Sequence, residues 1–396
     1  MNLGRDTSRP SLMCVAGICL GYNRLQQLPR EAMHIPDGYL SPSTCAVLYG
    51  GAGIGWYAAL RRVKCTLSAR MIPLIAVFAA FSFLVMMFNL PLPGGTTGHA
   101  LGVTLAAIVL GPSGAIMAVS IAIAIQTLFF GDGGITALGA NCFNMAVVGS
   151  LAAYLVYRVV AGRTALTSPR RVLAGGLAGY AAINVSALLA ACELGIQPLF
   201  FKDASGSPLY APYPLHIAIP AMMIGHLTFA GLAEFFVSAG VVAYLQRANP
   251  ALLGHSFSGK AQEASPQSTS GAGWGATRPL WVRLALLMLL TPLGVLAAGT
   301  AWGEWSARDF SSSEMRQKIA SASSGILLPA RPPQGLERLS SIWSAPFPQY
   351  APPFVRRPAF GYVMSAMFGS GLILGFFVLT GWVFTKQRNG VTRDSP

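Results

Sequence analysis

Charge is what this sequence has least of. Only 10% of its 396 residues are charged, against 53% that are hydrophobic. A soluble globular chain carries nearer about 25% charged residues. A soluble body of this size is therefore excluded, because it would lack the groups to cover its outside. Acids are the scarcer sign, 13 against 27 Lys and Arg, for a net charge of +14. The six cysteines, Cys14, Cys19, Cys45, Cys65, Cys142 and Cys192, include no C-x-x-C pair and read as small apolar fillers. No G-x-x-x-x-G-K-[ST] phosphate loop and no H-E-x-x-H helix occurs. The chain carries no nucleotide-binding signature and cannot power transport alone. No internal repeat of fixed period is present.

What the chain does have is apolar runs of membrane-spanning length, about 20 residues each. They fall at about 41–60, 71–90, 100–110, 113–130, 135–157, 172–192, 216–245, 280–300 and 360–384. The expected fold class is all-α: a polytopic integral membrane protein with about seven transmembrane helices, followed by a two-helix C-terminal part. The run at 100–110 is short. Either it merges with its neighbour across Gly111-Pro112 or it spans only in part.

Basic residues gather in four places: Arg61, Arg62, Lys64 and Arg70; Arg158, Arg163, Arg170 and Arg171; Arg247, Lys260, Arg278 and Arg283; and Lys386, Arg388 and Arg393. Nine alternating crossings put all four on one side, which the positive-inside rule makes cytoplasmic. The opposite loops are neutral or mixed. The basic charge is thus explained by the membrane and calls for no nucleic acid. Met33 and His34 then face outside.

Residues 1–32 form an N-terminal extension. Arg5 and Arg9 precede a short apolar stretch, Ser11 to Gly21, of signal-peptide length. Arg30 sits where a cleavage site prefers a small residue. Two readings stay open: a weak signal peptide ending at Ala32, or an upstream start codon with Met33 as the true beginning. Residues 33–245 form the main transmembrane domain. Residues 246–279, rich in Ser, Gly, Ala and Gln, read as a flexible cytoplasmic linker. Residues 280–396 form a two-segment domain with a long outer loop at 302–359.

Five histidines are available for chemistry. His255 lies in the linker. His216 and His226 are ten apart on the seventh run and are expected to share a helix face, with Glu234 further along it. An intramembrane histidine is costly unless paired, so this set reads as helix packing or as a relay. His34 and His99 differ. They sit in Met33-His34-Ile35-Pro36-Asp37-Gly38 and Pro93-Gly94-Gly95-Thr96-Thr97-Gly98-His99, both on the outer side. If Met33 is the true N-terminus, its amine, the His34 amide nitrogen and the His34 imidazole can chelate one ion. His99 can supply a fourth nitrogen. Four nitrogens in a plane favour Ni(II), Cu(II) or low-spin Co(II) over Zn(II), which prefers a tetrahedron.

The chain resembles the CbiM/NikM family, the metal-capturing substrate-binding component of energy-coupling-factor nickel and cobalt transporters. The family's Met-His-Ile-Pro-Asp/Glu-Gly motif corresponds to 33–38, and its Pro-Gly-Gly-Thr-Ser-Gly-His motif to 93–99, with Thr97 in place of Ser. Its Gly-Asp-Gly-Gly and Leu-Gly-Ala-Asn stretches correspond to 131–134 and 138–141, followed by Phe143-Asn144-Met145. The resemblance covers about 33–245. The remainder, about 280–384, resembles the small CbiN/NikN component, with Pro333-Gln334-Gly335-Leu336-Glu337 departing at one place from Pro-Asp-Gly-Leu-Glu.

The resemblance implies a metal site formed by Met33, His34 and His99, with Co(II) or Ni(II) as cargo and no resident cofactor. It also implies two partners, a transmembrane coupling protein (CbiQ/NikQ-like) and a cytoplasmic ATPase (CbiO/NikO-like). The implied location is the bacterial cytoplasmic membrane, multi-pass, among membrane lipid. Two other uses of the same histidines were weighed, a membrane metalloenzyme and a metal sensor. An enzyme needs an acid or base nearby, and only Asp37 and Asp132 are candidates. Gly131-Asp132-Gly133-Gly134 reads as a tight turn. Asn141 and Asn144 either fix the metal loop or pack helices.

Overall fold

The computed structural model describes residues 34–66, 71–88, 90–92, 96–253, 282, 285–296, 310–322, 331–350, 352, 354–355 and 357–391. Met33, the extension before it, Pro93-Gly94-Gly95 and His255 lie outside the described residues.

Apolar runs become helices because a bilayer offers backbone N–H and C=O groups no partner except the chain itself. Helix α1 covers Pro42–Thr66 and α2 covers Met71–Met86. A hairpin of β1 (Leu90–Leu92) antiparallel to β2 (Thr96–Gly98) leads into α3, Val103–Phe130. Then come α4 (Leu138–Ala161), α5 (Pro169–Phe200) and α6 (Leu215–Ala248). The C-terminal part supplies a 3₁₀ turn at Thr291–Leu296, short helices α7 (Ser313–Ala322) and α8 (Gln334–Leu339), and the long α9 (Pro358–Val391).

Helices α3, α4, α5, α6 and the Pro358–Thr380 stretch of α9 are long and apolar enough to cross a membrane, and Ile72–Met86 is a shorter apolar helix. The nine apolar runs therefore resolve differently from a simple count. The run at 41–60 is α1, less apolar because Arg61, Arg62 and Lys64 fall within the same helix. Runs 100–110 and 113–130 belong together in α3. Of 280–300, the described part is short, ending in the 3₁₀ turn.

Helix α3 is not one straight rod. Gly111 has φ 73 and ψ 171, followed by Pro112. That region of backbone space is open essentially to glycine alone. The two ends of α3 arrive at one place: His99, just before it, and Asp132, just after it, both meet His34. A single crossing would put them on opposite faces of the membrane. The limbs Val103–Leu110 and Pro112–Phe130 therefore run in and back as a helical hairpin. Val103, Ala106 and Ala107 on one limb share a core cluster with Ala115, Val119 and Ile123 on the other. The alanines let the limbs approach closely, as small residues do between membrane helices.

Helix α5 packs against α4 and α6, and α9 lies along α2. His216 and His226 do not share a face: His216 is exposed and His226 is buried. At about 100° per residue, ten residues fall roughly 80° short of three full turns, enough to separate them. His226 and Glu234 both point inward. Helix α6 ends at Ala248, and the 3₁₀ turn Pro250–Leu253 buries Leu253, so the chain stays packed to that point.

The hairpin predicts a stability contrast between two glycines. Gly111→Ala is expected to cost about 1–3 kcal/mol and to lower the Tm of the detergent-purified protein. Gly53→Ala, at a helical position with open space around it, is expected to leave the Tm unchanged. Equal Tm values for the two variants would contradict the break at Gly111.

Candidate metal centre

Three loops meet at the mouth of the bundle. The first, residues 34–41, is tied down along its length. Asn141 grips Ile35 from both sides, its Oδ1 accepting from Ile35 N at 2.8 Å and its Nδ2 donating to Ile35 O at 3.1 Å. Gly134 N donates to Ile35 O at 3.0 Å. The Asp37 carboxylate accepts from Ile135 N at 3.1 Å, Thr136 N at 2.7 Å and Thr136 Oγ1 at 2.5 Å. Further on, Ala211 N donates to Tyr39 O and Ser41 N to Gln197 Oε1, both at 3.0 Å. The loop around His34 is thus docked on residues 134–141 by paired hydrogen bonds, which leave its backbone little freedom.

The second loop, residues 131–137, carries Asp132. The α3 helix ends in a π-helical turn, Gln126–Phe130, a feature frequent at functional sites. Asp132 N then donates to Gln126 O at 3.2 Å, and Thr127 Oγ1 donates to Asp132 O at 3.2 Å. Gly133 has φ 85, and a Cβ there would sit 2.9 Å from His34 Cβ and 3.0 Å from Asn141 Nδ2. Only glycine lets this loop pass so close to the histidine.

The third loop carries His99. It leaves the β1–β2 hairpin and enters α3, where Leu101 N donates to Glu234 Oε2 of α6 at 2.9 Å. A carboxylate at a helix start satisfies backbone N–H groups that lack partners and matches the helix dipole. Glu234 is itself steadied by Ser238 Oγ at 3.2 Å. Sequence periodicity alone gave Glu234 a face but no role; its role is to anchor the His99 segment.

The structure brings His34 and His99 together. Their ring centres lie 5.2 Å apart, with planes tilted by 59°. Both are buried, 1% and 2% exposed. His34 Nδ1 lies 2.7 Å from Asp132 Oδ1, and His99 Nδ1 lies 3.2 Å from Ala100 O. A carbonyl only accepts, and an ionised carboxylate only accepts, so each Nδ1 carries the proton. Each Nε2 is left with a lone pair. Both Nε2 atoms are buried with no hydrogen-bond partner among the described residues. With metal–nitrogen bonds of about 2 Å, each ring centre would lie roughly 3 Å from a bound ion. Centres 5.2 Å apart therefore admit one ion between them.

The electrostatics suit a nitrogen ligand set. Burial, and then the neighbouring His34 ring, push the His99 imidazole down to about 3. It stays neutral and keeps its lone pair. Burial opposes ionisation of Asp132, yet the His34 ring and its hydrogen bond, with the Tyr350 hydroxyl, hold its carboxyl below the usual carboxylate range. A carboxylate behind the imidazole fixes the tautomer of a metal-binding histidine and raises its basicity. Among the described residues, no cluster of three or more His, Cys, Asp and Glu side chains is arranged to hold a metal. Further donors must come from the backbone or from Met33.

Several supporting residues carried no clear signal in the sequence. Asn141 fixes the His34 loop, whereas Asn144 packs helices, donating through Nδ2 to Glu193 Oε2 at 2.8 Å. Asp132 sits in a turn, as expected, but its carboxylate serves His34. Tyr350 reaches the same carboxylate from the C-terminal part. Its position in a long loop without motif gave no hint of this.

Comparison with known proteins agrees with this geometry. The family described as "CbiM: Cobalt uptake substrate-specific transmembrane region" matches residues 34–252, and "PDGLE domain" matches residues 278–386. Over 342 residues the chain is 54% identical to the fused nickel transport protein NikMN of Rhodobacter capsulatus, covering 86% of this chain and 95% of that one. It is 40% identical over 291 residues to a probable fused nickel transport protein LarMN of Lactiplantibacillus plantarum, covering 73% and 81% respectively. A crystal structure of a truncated transition metal transporter superposes with a TM-score of 0.51 at 47% identity, covering 54% of this chain and 99% of that one. Fold and relatives together define a multi-pass integral membrane transport protein, not an enzyme. The chain belongs to the CbiM family and carries a PDGLE domain after the transmembrane region.

Gly133→Ala is expected to displace the His34 ring and weaken metal binding by about tenfold or more, the scale seen when support behind a metal-binding histidine is lost. Titration of the purified protein with Ni(II) checks this. Unchanged affinity would show that the loop has room the structure denies it.

Proposed function

We propose that this chain is the metal-capturing subunit of an ATP-driven energy-coupling-factor importer for Ni(II) or Co(II). The ion is held by the Met33 amine, the His34 amide and imidazole nitrogens and the His99 imidazole. The observation that carries the reading is the pair of buried Nε2 lone pairs facing one another, with ring centres 5.2 Å apart.

The chelate follows from bond chemistry. Amine and amide nitrogens of adjacent residues close a five-membered ring on the ion, and the His34 amide and imidazole close a six-membered one. His99 takes the corner left over. Displacing the amide proton is costly, so only ions that bind nitrogen strongly are captured. Nickel is the cargo we name first, because the relatives at 54% and 40% identity are nickel transport proteins. Cobalt remains the alternative through the cobalt transport protein CbiM of Geobacter sulfurreducens, 31% identical over 286 residues.

The partners in this reading are a CbiQ/NikQ-like transmembrane coupling protein and a CbiO/NikO-like cytoplasmic ATPase. The site opens to the outside of a bacterial cytoplasmic membrane, an orientation supported by the four basic clusters on the opposite side. A metalloenzyme at the same histidines has no base to use. Asp37 is spent on Ile135 and Thr136, and Asp132 on His34 and Tyr350.

His99→Ala is the direct test. Cells whose only high-affinity nickel importer contains this variant are expected to accumulate metal at the level of cells lacking the importer. Accumulation equal to wild type would remove the proposed site.

A further inference from the structure

We propose that Tyr350 is a positioning residue for the metal site, through which the C-terminal part aims His34 at the ion. The inference rests on the reading of His34 and His99 as ligands. It adds that the site is incomplete without a hydroxyl supplied from more than two hundred residues away in sequence.

A chain of hydrogen bonds carries it. Gln126 Nε2 donates to Tyr350 Oη at 2.9 Å, Tyr350 O–H donates to Asp132 Oδ2 at 2.6 Å, and His34 Nδ1 donates to Asp132 Oδ1 at 2.7 Å. All four side chains are buried, none more than 5% exposed. The two Asp132 oxygens are held from opposite partners, so the carboxylate cannot rotate about its own axis. With the carboxylate fixed, the imidazole plane is fixed, and Nε2 has one direction to point. Without the hydroxyl, one carboxylate oxygen loses its anchor, and the His34 ring inherits that freedom.

The surrounding structure is arranged to bring the hydroxyl there. A helix C-terminus leaves its last carbonyls without intrahelical partners. Here the C-terminal part satisfies two of them: Trp343 Nε1 donates to Leu128 O at 3.0 Å and Phe347 N to Phe129 O at 2.9 Å. The Tyr350 ring stacks on Phe130, with centres 4.8 Å apart. Ser365 Oγ of α9 donates to Tyr350 O at 2.9 Å. Gln349 and Tyr350 both adopt φ 56. A bulky residue in the left-handed region is a genuine outlier, and two in succession persist only where the surroundings hold them. The strain sits at the one side chain of this segment that reaches Asp132. The same domain also docks at the other end of the His34 loop. There Gly335 N donates to Leu209 O, and a Cβ on Gly38 would lie 2.5 Å from Gly335 O.

The test uses the full chain purified in detergent, with Ni(II) as the probe. Tyr350→Phe keeps the stacked ring and removes only the hydroxyl. It is expected to weaken Ni(II) binding by about tenfold, the low end for an outer partner of a metal-ligating histidine, and to shift the visible absorption band of the bound ion. Asp132→Asn and the double variant complete a cycle. If Tyr350 acts through Asp132, adding Tyr350→Phe to Asp132→Asn has no further effect. If the tyrosine only packs, the two effects add, and the proposal is overturned. His99→Ala in the same titration separates the two layers. Loss of binding there, with Tyr350→Phe like wild type in affinity and spectrum, sinks the Tyr350 inference alone. Binding unaffected by His99→Ala sinks the ligand reading beneath it and this inference with it.

Discussion

The site depends on one hydrogen bond, from His34 Nδ1 to Asp132 Oδ1 at 2.7 Å. It settles which nitrogen of His34 carries the proton and leaves the other to a metal. It also sets the demands on everything nearby. Asp132 must be at the end of α3, so the chain must return there. Gly133 must be a glycine, because a side chain would strike His34. The loop bearing His34 must lie flat on residues 134–141, which is the work of Asn141 and Asp37. Each of these features is reasonable alone, but only the His34–Asp132 bond explains why they occur together.

The membrane supplies the second constraint. A single helix crossing the bilayer would carry His99 and Asp132 to opposite sides. The reversal at Gly111-Pro112 brings them back to one. The shorter limb then begins inside the bundle, where its first N–H groups find no water. Glu234 of α6 answers that need through Leu101 N. An acid in a membrane bundle is expensive unless its charge or proton is fully hydrogen-bonded, and here each oxygen has a partner. Its position ties α6, whose outer face is apolar and exposed at Phe229, Leu232 and Phe236, to the loop that carries a ligand. A shift of α6 would therefore be felt at His99. That link is a physical route by which movement of the helix could change the hold on the ion.

Much of this was legible in the sequence, for reasons that can be named. Long apolar runs with few charges have one solution in a bilayer, so the helical membrane fold followed from composition. The glycine-dense runs around His34, His99 and Asp132 marked close backbone approach before any contact was known. The partial span at 100–110 stood out by its length. Other features were out of reach. Helical periodicity placed His216 beside His226, but ten residues are not three whole turns, and the two face different surroundings. Asn141 and Asn144 looked alike on the sequence, and only tertiary contacts separate a residue that grips Ile35 from one that meets Glu193. Tyr350 is one tyrosine among twelve, in a loop whose path over the site is set by contacts with Leu128, Phe129 and Phe130 that no local pattern encodes.

The central claim is a chelate that needs a free amine on Met33. It can therefore be tested at one atom. The measurement is the N-terminal residue of the protein as it stands in the membrane, by intact mass or by end-group sequencing of purified material. The account predicts a chain that begins at Met33 with an unblocked amine. A functional protein that still carries residues 1–32, or a blocked Met33, would contradict it and leave two imidazoles where four nitrogens are required.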